Sequence, residues 1–403
     1  MGCGTSTSPA PAAPADAGTD VATADAPAAS SDAAADAPFE PGAHPASPAV
    51  VDTGGTTLKT PKVVTVTFDA DPLAAQIDAF AGAVGASAYW HAVTGEYGVE
   101  PLTFARAVHL ASTPSASIDS GALETWLISQ LDGTHAEWGT PDANTIYAIV
   151  YPLGMSITMS GQSLCSVTPA YHSEVQLASG VRIPYAAMAR CDPFLGLSGI
   201  DYVTAGLSHE LVEAATDPFP NSGPAYYSPA NQYNAWAIVT GGELADMCTL
   251  LSDVYFKPAG LPYMVQRSWS NQAAAAGHDP CVPAPASPYF NAAPVLPVTV
   301  SGTYYGQAFT TQGANIPLGK SKAIAVELFS DVATPGPWKV RAIASGAAKL
   351  TFAWDRSSGL NGDTLQLTVT RVKDDPSVSG VDIFMLLSTL GNEQHAWVGA
   401  VGD

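Results

Sequence analysis

Apolar and polar positions change their period several times along the chain, and each change marks an element. Residues 62–68 (Lys-Val-Val-Thr-Val-Thr-Phe) alternate and are rich in β-branched side chains, which predicts a strand. Leu73, Ile77, Phe80 and Val84 recur at helical spacing and predict a helix over 71–86. A second helix is expected over 123–131 and an apolar strand over 145–151. Strands interleaved with helices indicate an α/β or α+β domain over residues 61–285. Beyond Pro283, Pro285, Pro288, Pro294 and Pro297, a proline-rich hinge, the pattern changes to short strands. These are predicted over 323–329, 338–343, 350–354, 364–372 and 381–387, with Gly, Pro, Asn or Asp clusters between them. That spacing predicts an antiparallel β-sandwich accessory domain over residues 290–403. Such modules bind glycans or proteins, or act as spacers, and no aromatic spacing chooses among these.

The first 60 residues follow neither period. Residues 4–58 are Ala, Pro, Asp, Ser and Thr with almost no large apolar side chains and no Lys or Arg. Such a stretch cannot bury enough surface to offset its ordering entropy, so a disordered, extended tether is expected. It begins Met-Gly-Cys-Gly-Thr-Ser, with no basic or apolar leader segment. Gly2-Cys3 matches the end of a bacterial lipobox, which makes Cys3 the expected lipidation site and a lipid the expected membrane anchor. The same letters fit a eukaryotic myristoylation pattern, and an accidental cysteine is the third reading. No run of 18 apolar residues is present that would span a bilayer.

Charge and cysteine content narrow the setting. The net charge of −21 argues against nucleic acid and anionic membrane surfaces as partners. Of five cysteines, four lie in the central domain: Cys165, Cys191, Cys248 and Cys281. An even set without a Cys-x-x-Cys pair suggests two disulfides in an oxidising compartment, with buried free thiols as the alternative. Proximity in sequence pairs Cys165 with Cys191 and Cys248 with Cys281. The expected location is extracytoplasmic, on a bacterial cell surface or secreted.

The chemistry concentrates in residues 201–218, DYVTAGLSHELVEAATDP, a helix closed by Pro218. With Leu207, Leu211 and Ala214 on one face, His209, Glu210, Glu213 and Asp217 occupy about 100° of arc elsewhere on the helix. His209-Glu210-x-x-Glu213 is a variant of the zinc-protease His-Glu-x-x-His helix. Residues at i and i+4 lie one above the other and reach one ion. The residue at i+1 is rotated away, placed to take a proton from water on the metal. Glu210 is therefore the candidate catalytic base, and His209 and Glu213 are candidate metal ligands. No Lys or Arg occurs between Arg190 and Lys257, a window that holds eight Asp and Glu. A bound cation relieves that repulsion; a solvated acidic helix face is the competing reading. Glu243 is the expected third ligand with Asp246 behind it, while Asp217 on the same helix and His172 are the other candidates. Zinc suits this donor set, and calcium is the alternative for an oxygen-rich site. Trp90 and His91 are read as a packed aromatic helix end.

Residues 208–218, Ser-His-Glu-Leu-Val-Glu-Ala-Ala-Thr-Asp-Pro, together with Gly242-Glu243-x-x-Asp246-x-Cys248, residues 265–271 and Cys281, resemble a signature of bacterial secreted proteins. That group is similar to the plant phosphate-induced, EXORDIUM-like extracellular family. Ala88-Tyr89-Trp90 with Tyr97, and Leu164-Cys165 with Tyr171-His172, carry the same resemblance, which covers residues 61–282. The resemblance implies an extracellular protein of poorly defined activity. The plant branch lacks the His-Glu pair, so that fold does not by itself bring peptidase activity. Two functions are therefore expected to compete. One is a surface-anchored zinc peptidase acting on a protein or peptide. The other is a non-enzymatic adhesion lipoprotein whose acidic site holds a structural metal or none.

Overall fold

The computed structural model describes residues 38–68, 70–166, 168–191 and 193–403. Cys3 and the first part of the expected tether lie outside them. The protein is β-rich, with several sheets and few helices. Glu40–Asp403 forms one compact unit.

The central region is built on a five-stranded sheet ordered Thr103–Leu110, Lys62–Phe68, Thr145–Tyr151, Arg182–Ala189, Ala170–Gln176. The first four strands pair in parallel, and Ala170–Gln176 adds an antiparallel edge. A parallel sheet needs both faces covered, which explains why Thr145–Tyr151 is buried along its whole length. One face carries Ala74–Val84 and the long helix Gly199–Thr216, through Ile77, Phe80, Val203, Leu207 and Leu211. The other carries Ser120–Gln130 through Leu123 and Leu127, with Trp138.

The C-terminal region forms a β-sandwich. A four-stranded antiparallel sheet (Phe290–Pro294, Ser321–Ser330, Thr364–Lys373, Lys349–Trp354) faces a seven-stranded sheet that includes Trp338–Ala344, Val381–Leu390 and Glu393–Gly402. In Thr364–Lys373, Leu365, Leu367 and Val369 alternate inward, as a half-buried strand requires. The large sheet departs from the antiparallel expectation at one place: Gln307–Asn315 runs parallel to Glu393–Gly402 where they meet.

Two further expectations need correction. Residues 40–58, assigned from composition to the tether, dock onto the folded regions at several points. Val50–Asp52 pairs with Tyr226–Pro229, Val50 and Leu58 are buried, and His44 stacks on Phe329 at 3.7 Å. A few well-placed apolar contacts and the Gly42 N–H to Asn361 Oδ1 bond (2.6 Å) hold a segment whose average composition is unpromising. The proline-rich stretch is not a free hinge either: Phe290, Ala292 and Ala293 are buried, and Trp236 packs on both Trp269 (5.9 Å) and Trp397 (5.8 Å). One apolar core runs across this seam.

Candidate metal and catalytic site

Thirteen residues of the helix Gly199–Thr216 are buried, so it is enclosed on almost every side rather than amphipathic. Strands Ala170–Gln176 and Arg182–Ala189 flank it, and Val265–Gln266 crosses it; Ser208 Oγ accepts the Gln266 N–H at 2.9 Å. Glu210, Glu213 and Asp217 are 4%, 2% and 0% exposed. The solvated-face reading of these carboxylates is therefore corrected: they project beneath neighbouring chain segments. His209, Glu210 and Glu213 line a cleft of about 700 Å³ together with His172, Glu243, Asp246 and Gln266.

His209 is oriented from behind. Gln266 Nε2 donates to the Ala245 carbonyl (2.7 Å), which turns Gln266 Oε1 toward His209 Nδ1 at 3.0 Å. An amide oxygen only accepts, so Nδ1 carries the proton and Nε2 faces the site. There it meets Glu213 Oε2 at 3.1 Å and Asp246 Oδ1 at 3.5 Å. Glu213 is itself clamped, since its Oε1 accepts the Asp246 N–H at 3.1 Å. A metal-ligating histidine characteristically has its other nitrogen fixed by an oxygen in this way. Donors held at about 2.0–2.2 Å around one tetrahedral ion stand about 3.3–3.6 Å apart, close to the spacings found. The donor set thus fits a divalent ion.

The third position differs from the sequence expectation. Asp246, expected behind the site, shares with His209 and Glu213 a set of donor atoms all within 4.8 Å of one another. Glu243 instead groups with His172 and Asp217. The reason is local backbone. Gly241 and Gly242 have φ of 116° and 106°, and a Cβ on Gly241 would collide with the Asp246 carboxylate. This turn, followed by the short helix Asp246–Cys248 and the Cys248–Cys281 disulfide, sends the two acidic side chains to different places. Both expected disulfides are present, with Cα separations of 5.3 Å for Cys165–Cys191 and 5.7 Å for Cys248–Cys281. They mark an extracytoplasmic protein. Among the described residues no helix is long and apolar enough to cross a membrane.

Electrostatics reflect the crowding. Burial opposes the charged form of His209, but Glu213, Glu210 and Asp246 hold its pKa well above the ordinary histidine value. Burial likewise opposes the charge on His172, and Glu243, Glu210 and Glu213 raise its pKa well above that value. Burial favours the neutral form of Glu213, yet the two imidazoles hold it well below the usual carboxylate range. Burial pushes Glu243 and Asp246 well up, and Asp217 up. His172 lies 3.6 Å from Glu210 and 3.5 Å from Glu213 through Nδ1. Sequence reasoning gave His172 only a minor place and Gln266 no role of its own. Both come from strands distant in sequence, and only the fold brings them to the helix.

No family model and no curated protein matches this chain. Among solved structures, domains 4 and 5 of the S-layer protein SbsC are 13% identical, covering 36% of this chain and 87% of that one, with a TM-score of 0.17. A longer piece of the same S-layer protein, residues 31–844, is 11% identical over 34% of this chain and 22% of its own, with a TM-score of 0.18. A β-glucosidase from Listeria innocua is 11% identical over 88% of this chain and 48% of its own, with a TM-score of 0.17. Likenesses this weak carry no argument about fold or function.

Proposed function

We propose that the protein is an extracytoplasmic metal-dependent hydrolase that cleaves peptide bonds, tethered to the bacterial surface through Cys3, with a central domain related to the EXORDIUM-like family. The observation that carries this reading is the Gln266–His209 pair, which presents a histidine Nε2 to two carboxylates inside a cleft. Zinc is the ion this donor set suits, with His209, Glu213 and Asp246 as its protein ligands. Such an ion supplies Lewis acidity, which polarises a carbonyl and acidifies water. The chain's own residues do the rest. Gln266 fixes the His209 tautomer, and the Asp246 N–H holds the Glu213 carboxylate in place. Glu210, next to His209 in sequence and lining the same cleft, takes the proton from the attacking water and returns it to the leaving amine.

The test uses the full-length, disulfide-intact chain with labelled casein as substrate. Wild type is expected to hydrolyse it and to stop when chelated. Glu210→Gln keeps its zinc but loses about 10²–10⁴-fold in kcat. His209→Ala and Asp246→Ala lose the zinc held by His209, Glu213 and Asp246. A protein that takes up no zinc at neutral pH and cleaves nothing defeats the proposal. The competing reading, a non-catalytic surface protein, draws on the short His209–Glu213 contact: two imidazolium rings alone then neutralise part of the site. In that case Glu210→Gln has no phenotype. The histidine contribution to stability is then complete below the ordinary histidine value and falls as pH rises through the elevated histidine pKa values, the reverse of an acid-labile metal site.

A further inference from the structure

The His209–Glu213–Asp246 group leaves a second part of the acidic site unbalanced. His172, on the strand Ala170–Gln176, is buried and faces acceptors on both edges. Its Nδ1 meets the carboxylates of Glu210 (3.6 Å) and Glu213 (3.5 Å). Its Nε2 meets Glu243 Oε1 at 3.4 Å and the Asp217 carbonyl oxygen at 3.2 Å. A neutral imidazole has one N–H, so between the other ring nitrogen and its oxygen neighbours lies either a second ring proton or a cation. Asp217 adds an independent sign. It is fully buried, and its Oδ1 accepts the Ala225 N–H at 2.6 Å. Its Oδ2 is buried and makes no hydrogen bond, and Glu243 Oε1 makes none either, facing only His172 Nε2 at 3.4 Å. One donor atom from each of His172, Asp217 and Glu243 lies within 4.8 Å of the others. Two carboxylates that face each other inside a protein share either a proton or a cation.

We propose that His172, Asp217 and Glu243 form a second divalent-cation site beside the His209–Glu213–Asp246 site. Both histidines then use Nε2 toward an ion and Nδ1–H toward an oxygen acceptor: Gln266 for His209, and Glu210 with Glu213 for His172. Glu213, in contact with both rings, joins the two halves into one two-ion centre. Neighbouring ions of this kind serve hydrolases by stabilising both the attacking and the leaving group. In that functional sense the inference rests on the proposed hydrolase; the existence of the second site does not.

The experiment is metal counting on the full-length chain, dialysed against zinc chloride at neutral pH and analysed by mass spectrometry of the metal. Wild type is expected to hold two equivalents. Asp217→Asn and Glu243→Gln each fall to one, His209→Ala falls to one, and Glu243→Gln combined with His209→Ala falls to none. Circular dichroism checks folding, and Glu243→Gln carries the test if Asp217→Asn does not fold. One equivalent in wild type that survives Glu243→Gln and disappears in His209→Ala overturns the second site and leaves the hydrolase standing. One equivalent lost in both variants means a single shared ion and also overturns it. No bound zinc in wild type defeats both.

Discussion

Buried charge is handled in opposite ways in the two halves of this protein. In the β-sandwich, the guanidinium of Arg371 is fully buried and nearly saturated. It donates to Asp382 Oδ2 (2.8 Å), the Ile316 carbonyl (3.0 Å), Asp403 Oδ1 (3.3 Å) and Asp374 Oδ1 (2.5 Å). In the central region, Glu210, Glu213, Asp217, Glu243 and Asp246 converge, and the basic groups facing them are two imidazoles. Carboxylate oxygens there lack donors. The sandwich network is complete without anything external, as a structural ion-pair cluster should be. The acidic site is completed only by protons or by metal, an imbalance that makes it the candidate functional site. The pairing of Arg190 with Asp71 (2.9 Å) shows that the central domain also balances a buried charge where no function requires otherwise.

The largest expected effect tests the sandwich side of this contrast. Arg371→Met removes the only cation paired with the buried Asp382 among the described residues and should cost about 3–5 kcal/mol of unfolding free energy, read from urea denaturation. Adding Asp382→Leu should recover most of the loss, because the cost lies in the stranded charge. A loss under about 1 kcal/mol for the single variant would show that the network is not self-contained, and the contrast would fail.

How far the sequence carried depends on the range of the determinants. The strand at 62–68, the helices near 71–86 and 123–131 and the site helix are local patterns, and all four form. The disulfide pairs follow from short sequence separation. In the sandwich, Val298–Tyr304, Gln307–Asn315 and Glu393–Gly402 went unread because Gly, Thr and Gln interrupt their apolar period. Gly399 shows why a glycine belongs in such a strand: a Cβ there would meet the Phe384 ring at 2.4–2.9 Å. Within the site, the arc of His209, Glu210, Glu213 and Asp217 was legible from helical periodicity. The grouping of Asp246, rather than Glu243, with His209 and Glu213 was not, because it depends on the positive-φ turn at Gly241-Gly242. Nor was the Gln266 contact, which spans 57 residues.

A smaller effect is expected at the seam between the halves, where two groups respond to burial with opposite slopes. Asp279 and His395 line the same small cavity with Trp236, Trp269 and Trp397. Burial pushes Asp279 up to about 7 and His395 down to about 4. For Asp279, the unfolded chain ionises from its ordinary 3.8 while the folded chain stays neutral, so stability falls as pH rises from about 4 to 7. For His395, the unfolded chain gains a proton below its ordinary 6.5 before the folded chain does, so stability falls as pH drops from 6.5 toward 4. The two slopes offset each other in the wild type. Asp279→Asn keeps an acceptor for the Cys281 N–H and removes one slope. It should match wild type near pH 4 and exceed it by on the order of 3 kcal/mol at pH 7, with newly visible acid sensitivity from His395. Parallel pH profiles of the two proteins would show that Asp279 ionises freely at the seam.

The smallest effect is the most diagnostic, because its sign depends on the solvent. Glu243 lies among Glu213, Asp217 and Asp246, whose charges add to burial in raising its pKa. In chelator, Glu243→Gln removes one member of that crowd and should raise stability by about 1 kcal/mol. In zinc the order should invert. Wild type gains RT ln(1 + [Zn]/Kd) from an ion that the variant cannot hold at this position, about 1.4 kcal/mol at tenfold excess over Kd. Arg371→Met provides the control, since a network that is complete in itself should show the same loss in zinc and in chelator. If Glu243→Gln shifts the thermal midpoint equally in both solvents, no ion binds at Glu243. The acidic site would then be a proton-balanced cluster, different from the sandwich network in its charges but not in its purpose.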